Sequence, residues 1–127
     1  MRIVEAPLGF VPGKDFTGKV NLSKILESAD GDPIALYRVK FDARARTDWH
    51  AHQGVQVLYV VSGVCRIQKQ GESVQEVQAG NVIVIDEEEK HWHGAAPGGE
   101  MIHIAIGLYV TTSWFDPVTD EEYEGSV

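Results

Sequence analysis

Hydrophobic and polar positions alternate with a period of two over most of the chain from Pro33 onward, and the alternating runs are short. Ile34–Phe41 alternates and stops at Asp42. Residues 55–61 are rich in Val, Leu and Tyr and stop at Ser62-Gly63. Val64–Lys69 and residues 73–77 flank Gln70-Gly71-Glu72, which reads as a hairpin loop. The turn Ala79-Gly80-Asn81 leads into Val82–Ile85, and a last long run covers residues 101–110. Runs of this length and spacing predict a sandwich or barrel, not βαβ units. Helical spacing is rare. Leu22, Ile25 and Leu26 fit either a short helix or an extended N-terminal strand, and Thr119 with Glu122 fits a capping box opening one helical turn.

Parity assigns faces to the last run. Ile102, Ile104 and Ile106 share one face, and Met101, His103 and Ala105 the other. His103 therefore needs a polar cavity or a partner. In residues 55–61, Val55, Val57, Tyr59 and Val61 oppose Gln56, Leu58 and Val60. Both faces of that strand want burial, so a homodimer or homotetramer is expected.

Composition narrows the class. The chain has 127 residues, 43% of them hydrophobic, enough for one domain with its own core. Its 19 acidic against 11 basic residues give a net charge of −8, which argues against nucleic acid and against an anionic membrane surface. Cys65 is the one cysteine, so no intrachain disulfide forms, and a small buried hydrophobe is its expected role. Glu5, Pro7, Pro12, Gly13 and Lys14 interrupt any apolar leader near Met1, and a cytoplasmic protein is expected.

The five histidines change the picture most. His50 and His52 lie two apart, as do His91 and His93, so within a strand each pair points to one side. A single H-x-H is usually a surface or satisfied core pair. Here, however, both pairs and the inward His103 account for every histidine in the chain. Gln56 follows the first pair after a bend at Gly54, and its amide oxygen can act as a further donor atom. Trp49 and Trp92 flank the ligand-type histidines and by parity point away, as packing residues.

His50, His52, Gln56 and Gly63 fall at the spacing of the first cupin motif, and Gly80 and His91 at that of the second. The sequence is thus identified as resembling the cupins. The stretches "ARTDWHAHQGVQVLYVVSG", "EKHWHGAAP", "MIHIAI" and "VTDEEY" resemble the small single-domain bacterial cupins that include manganese-dependent hydroxynitrile lyases. The resemblance implies an all-β fold, a single cupin-type β-barrel (double-stranded β-helix or jelly roll) with minimal helix. The whole chain, residues 1–127, then forms one domain, with the barrel at about 34–110, an N-terminal arm over 1–33 and a C-terminal extension over 111–127.

Carried onto this sequence, the family's metal ligands are His50, His52, Gln56 and His91. Three imidazoles and an amide oxygen suit Mn, with Fe, Ni, Co or Zn as alternatives, and leave two positions of an octahedral ion open. A neutral Gln56 leaves the full charge of a divalent ion uncompensated, which strengthens its Lewis acidity. His93 and His103 are the expected acid–base residues, although His93 can instead orient a ligand or a water. Tyr37 and Val39 are expected to line the substrate pocket, with a core role as the alternative for Tyr37. Two departures stand out: Arg44 replaces the glycine of the first motif, and Asp86-Glu87-Glu88 replaces the Pro-x-Gly turn of the second. The acidic run over residues 86–89 reads as a solvated turn, or else as a rim repelling anions. Three functions remain open for a small-molecule substrate or ligand: a hydroxynitrile-lyase-like enzyme, a metal-dependent dioxygenase, and a non-catalytic metal-binding domain.

Overall fold

The computed structural model describes residues 1–27 and 31–125. Twelve strands and one short helix follow one another. They are β1 (Phe16–Thr17), β2 (Val20–Leu26), β3 (Ile34–Phe41), β4 (Arg46–Thr47), β5 (His50–Gln53), β6 (Gln56–Ser62), β7 (Val64–Lys69), β8 (Gln75–Gln78), β9 (Val82–Ile85), β10 (His91–Ala95), β11 (Met101–Leu108), β12 (Thr111–Trp114) and α1 (Asp120–Glu124). One sheet runs β2-β3-β11-β6-β9. The other runs β1-β4-β10-β5-β12, with β7 joining β10 to β8. Pairing is antiparallel throughout the described residues. This is the jelly-roll barrel expected of a cupin.

The ambiguous segment around Leu22 is strand. Val20 and Leu22 are buried while Asn21 is exposed, the half-buried alternation of a sheet edge. The capping box also forms: Thr119 Oγ1 accepts from Glu122 N–H at 3.1 Å, and Glu122 Oε1 accepts from Thr119 N–H at 3.0 Å. Tyr123 is thereby fixed under the second sheet, packed with Trp49, Trp92 and Val118, and its hydroxyl donates to Ala95 O at 2.6 Å. Both tryptophans thus pack behind the histidines.

Between the sheets lies a core of Val20, Leu22, Val39, Phe41, Val60 and Met101. Val60 points into it and Leu58 into an adjoining cluster with Ile85 and Ala105, whereas Tyr59 and Val61 stay about half exposed, 43% and 46%, on the outer face. The β11 isoleucines also take that outer face, leaving Met101, His103 and Ala105 buried within. Cys65 is buried too, and desolvation pushes its thiol up to about 12, so it is an inert packing group.

The two positions where this chain replaces a cupin-motif glycine have left-handed backbone. Arg44 has φ +69° and Glu88 φ +64°. Arg44 recovers part of the strain through a 2.6 Å ion pair with Glu124 and by stacking its guanidinium 4.9 Å from the Tyr123 ring centroid. Glu88 is exposed, and among the described residues its carboxylate meets only Gln53 Nε2, at 3.3 Å. Glu88→Gly is therefore expected to stabilise the fold. Relief of left-handed strain, about 1–2 kcal/mol, exceeds glycine's extra unfolded-state entropy. Thermal denaturation should show a melting temperature higher by a few degrees, and a lower one would refute the argument.

Candidate metal centre

The strand register brings the histidines together. His50 on β5 is the direct cross-strand partner of His91 on β10, so their side chains leave the same face side by side. Their ring centroids are 4.2 Å apart. His52 lies 5.0 Å from His50 and 5.1 Å from His91, centroid to centroid. His93 follows His91 on the same face, and His103 reaches it from the opposite sheet, His103 Nε2 lying 3.0 Å from His93 Nδ1.

Backbone carbonyls fix two of the rings. His50 Nδ1 lies 2.9 Å from Asp48 O and His91 Nδ1 2.7 Å from Glu89 O. A carbonyl accepts only, so each Nδ1 carries the proton and donates, and each Nε2 presents a lone pair. Trp114 on β12 pairs with His50 and lays its ring 4.7 Å from the imidazole centroid. This clamp comes from the C-terminal extension.

Burial keeps all five imidazoles neutral. Desolvation lowers His50 and His93 well below the usual histidine range, with like-charge coupling among the rings adding to it. Burial brings His52, His91 and His103 down to about 4. At neutral pH the cluster is a set of lone pairs without compensating protons. His52 Nδ1, Gln56 Oε1, His91 Nε2 and His93 Nε2 are buried with no hydrogen-bond partner among the described residues. Buried acceptors left open in this way suit a cation, and an all-imidazole and amide set suits a borderline divalent ion. The donor set fits a divalent metal.

One position differs from the sequence reading. Spacing along β10 suggests that His93 can share an ion with His91 only under strain, yet ligand atoms of His50, His91 and His93 all lie within 4.8 Å of one another. The β10 backbone turns both rings inward, with centroids 5.6 Å apart and nearly parallel at 17°. His93 therefore joins His50 and His91 in a group whose ligand atoms could hold one ion.

A cavity of about 400 Å³ opens onto this cluster. His50, His52, Gln56, His93 and His103 line its floor, and Tyr37 and Val39 its wall. Phe10, Phe16, Phe41 and Trp114 add aromatic surface, and Lys14 and Lys24 add cations. The chain segments before and after the barrel motifs supply Phe10, Phe16, Lys24 and Trp114. Among these, Lys24 alone leaves a trace in the sequence, as the inward-parity successor of Val20 and Leu22. Residues 86–89 do not line the cavity; Asp86, Glu87 and Glu88 are solvated, and Glu89 acts through its carbonyl on His91.

Residues 37–107 match the cupin domain family. The chain is 37% identical to an (R)-mandelonitrile lyase of Granulicella tundricola over 125 residues, 96% of this chain and 95% of that protein. Among solved structures, a cupin-like protein of Thermotoga maritima is 35% identical, with 93% and 92% of the two chains covered and a TM-score of 0.87. The polyketide cyclase RemF of Streptomyces resistomycificus shares the fold at 21% identity and TM-score 0.65, over 98% and 90% of the chains. No helix among the described residues is long and apolar enough to cross a membrane. In sequence, in fold and in the placing of its histidines, the chain belongs to the cupin family.

Proposed function

We propose that this cupin is a divalent-metal-dependent lyase that cleaves an aromatic cyanohydrin to an aldehyde and hydrogen cyanide. The observation that carries the reading is the unpartnered Nε2 of His93, set beside the His50–His91 pair on the floor of an aromatic cavity. A relative named as a mandelonitrile lyase, alike over nearly the whole chain, supports it.

His50, His52, Gln56 and His91 would hold the ion, manganese by preference. When bound it supplies Lewis acidity, a positive charge for the cyanide that develops as the carbon–carbon bond breaks. The histidine pair moves the proton. For His93 Nε2 to accept, its Nδ1 must carry the hydrogen and donate it to His103 Nε2, which fixes both tautomers. His93 Nε2 then takes the hydroxyl proton while the carbonyl forms, and returns it to cyanide, which leaves as HCN. Phe16, Phe41 and Trp114 give the reacting end an apolar aromatic lining.

The test is an assay of protein loaded with Mn²⁺, under nitrogen, on mandelonitrile. Benzaldehyde and HCN released in equal amounts are the expected result. Turnover that appears only in air would replace the lyase by a dioxygenase. Binding of metal and cyanohydrin without turnover in either atmosphere would reduce the protein to a binding domain.

A further inference from the structure

Lys24 is out of place by the pattern of its strand. It has the strand parity of Val20 and Leu22, 1% and 7% exposed, but lies past the buried Ser23 and is itself exposed, with its side chain lining the cavity. Its cross-strand partner is Tyr37. Its ammonium sits 5.9 Å from the ring centroids of both Phe10 and Tyr37, within the range of a weak cation–π contact. The β2–β3 register shifts just past Lys24, and Glu27 beyond the shift lies 3.6 Å from the Lys24 ammonium. Glu27 also faces the Tyr37 hydroxyl. Burial first, and then that carboxylate, raises the hydroxyl's pKa, so it stays protonated and donates.

At one point of its wall the cavity thus carries the Lys24 ammonium and the Tyr37 hydroxyl, with the Glu27 carboxylate beside both, while Lys14 and Asp15 also line the cavity. Register places that point relative to the histidines. Val39 pairs with His103, while Tyr37 pairs with Ala105, two residues further along both strands. The polar group therefore lies about 7 Å along the sheet from the acid–base pair. An aromatic ring spans that gap.

The charges limit what can be read there. A carboxylate on the ring would face Glu27, and an ammonium would face Lys24. A hydroxyl satisfies both, accepting from Lys24 and donating to Glu27. We infer that Lys24 and Glu27 recognise a hydroxyl at the remote end of the substrate's aromatic ring, which narrows the substrate class to hydroxyaryl cyanohydrins and aldehydes. The inference rests on the lyase reading for the reacting end only. The competing description is a half-exposed ion pair worth a few tenths of a kcal/mol and indifferent to ligands.

The experiment is calorimetric titration with unreactive benzyl alcohols, which cannot form an imine with Lys24. Metal-loaded protein and its Lys24→Met and Glu27→Gln variants are compared. The parent is expected to bind para-hydroxybenzyl alcohol roughly tenfold more tightly than benzyl alcohol, and para-carboxybenzyl alcohol more weakly than either. In both variants the ratio of the first two should fall towards one. A ratio near one in the parent, a ratio kept in the variants, or no binding of any alcohol would each overturn the inference. The titration needs no turnover, so the preference without cyanohydrin cleavage sinks the lyase reading alone, and cleavage without the preference sinks this inference alone.

Discussion

The protein is expected to purify with a divalent ion, and a His50→Ala, His91→Ala double variant without it. The two rings are cross-strand partners whose Nδ1–H groups are held by Asp48 O and Glu89 O. Their Nε2 lone pairs are therefore aimed before any ion arrives, and little ordering entropy remains to be lost on binding. Removing a hydrogen bond that merely orients a ligand costs about 10–100-fold in metal affinity. Removing two ligands outright should cost more than about a hundredfold. Elemental analysis reads this directly, and equal metal content in the two proteins would end the assignment. Thermal denaturation gives a second reading. Added Mn²⁺ should raise the parent's stability by about 2.7 kcal/mol at a hundred times its dissociation constant, and leave the double variant unmoved. Matching far-UV circular dichroism separates loss of metal from loss of fold.

The fold was legible because strand parity is a local property. Alternation around Ile34–Phe41, the hairpin loop at Gln70-Gly71-Glu72 and the capping box at Thr119 each depend on residues within a few positions of one another. The inward aim of His103 followed from three isoleucines on the opposite parity. Register is not local. That His50 lies opposite His91 is settled by pairing between strands far apart in sequence, and spacing along β10 alone does not bring His93 to the same point without strain, whereas the fold does. The His93–His103 contact crosses from one sheet to the other, where periodicity carries no information at all.

The cavity wall was least legible, and for a related reason. Phe10 reaches it through a two-way backbone bridge with Leu22, Phe16 through pairing with Thr47, and Trp114 through pairing with His50. Each is an exposed-looking aromatic in a segment outside the barrel motifs. Its inward role exists only once those segments add strands to the second sheet or dock on the first. Arg44 and Glu88 show the reverse case. Side-chain preference at both positions disfavours a positive φ, yet the backbone is left-handed there, held by Ala45 N–H donating to Asp42 O at 2.9 Å and by Glu88 N–H donating to His52 O at 2.8 Å.

Stripped of metal by a chelator, the protein should lose several kcal/mol of stability between pH 6.5 and pH 4.5. His52, His91 and His103 are held at about 4 in the fold, while the same rings in the unfolded chain titrate near 6.5. Above that value both states are neutral and the histidines contribute no pH dependence. As pH falls below it, the unfolded chain takes up protons that the native cluster refuses, so the unfolded state gains. At 1.36 kcal/mol per unit, one such ring accounts for on the order of 3 kcal/mol by the time pH reaches its native value. The three do not simply add, since a first proton would open the cluster to water. The carboxylates act lower. The hydrogen bond and charge of Arg46 hold Asp120 below its ordinary range, so its contribution disappears only as pH falls further. Urea midpoints across pH 7.5, 6.5, 5.5 and 4.5 should therefore be level over the first step and then drop. Bound metal should make the decline steeper, because protons then compete for the same lone pairs. Midpoints that stay level to pH 4.5 in the stripped protein would mean that the imidazoles are already charged or solvated in the native state, and the neutral donor set on which the metal site depends would not exist.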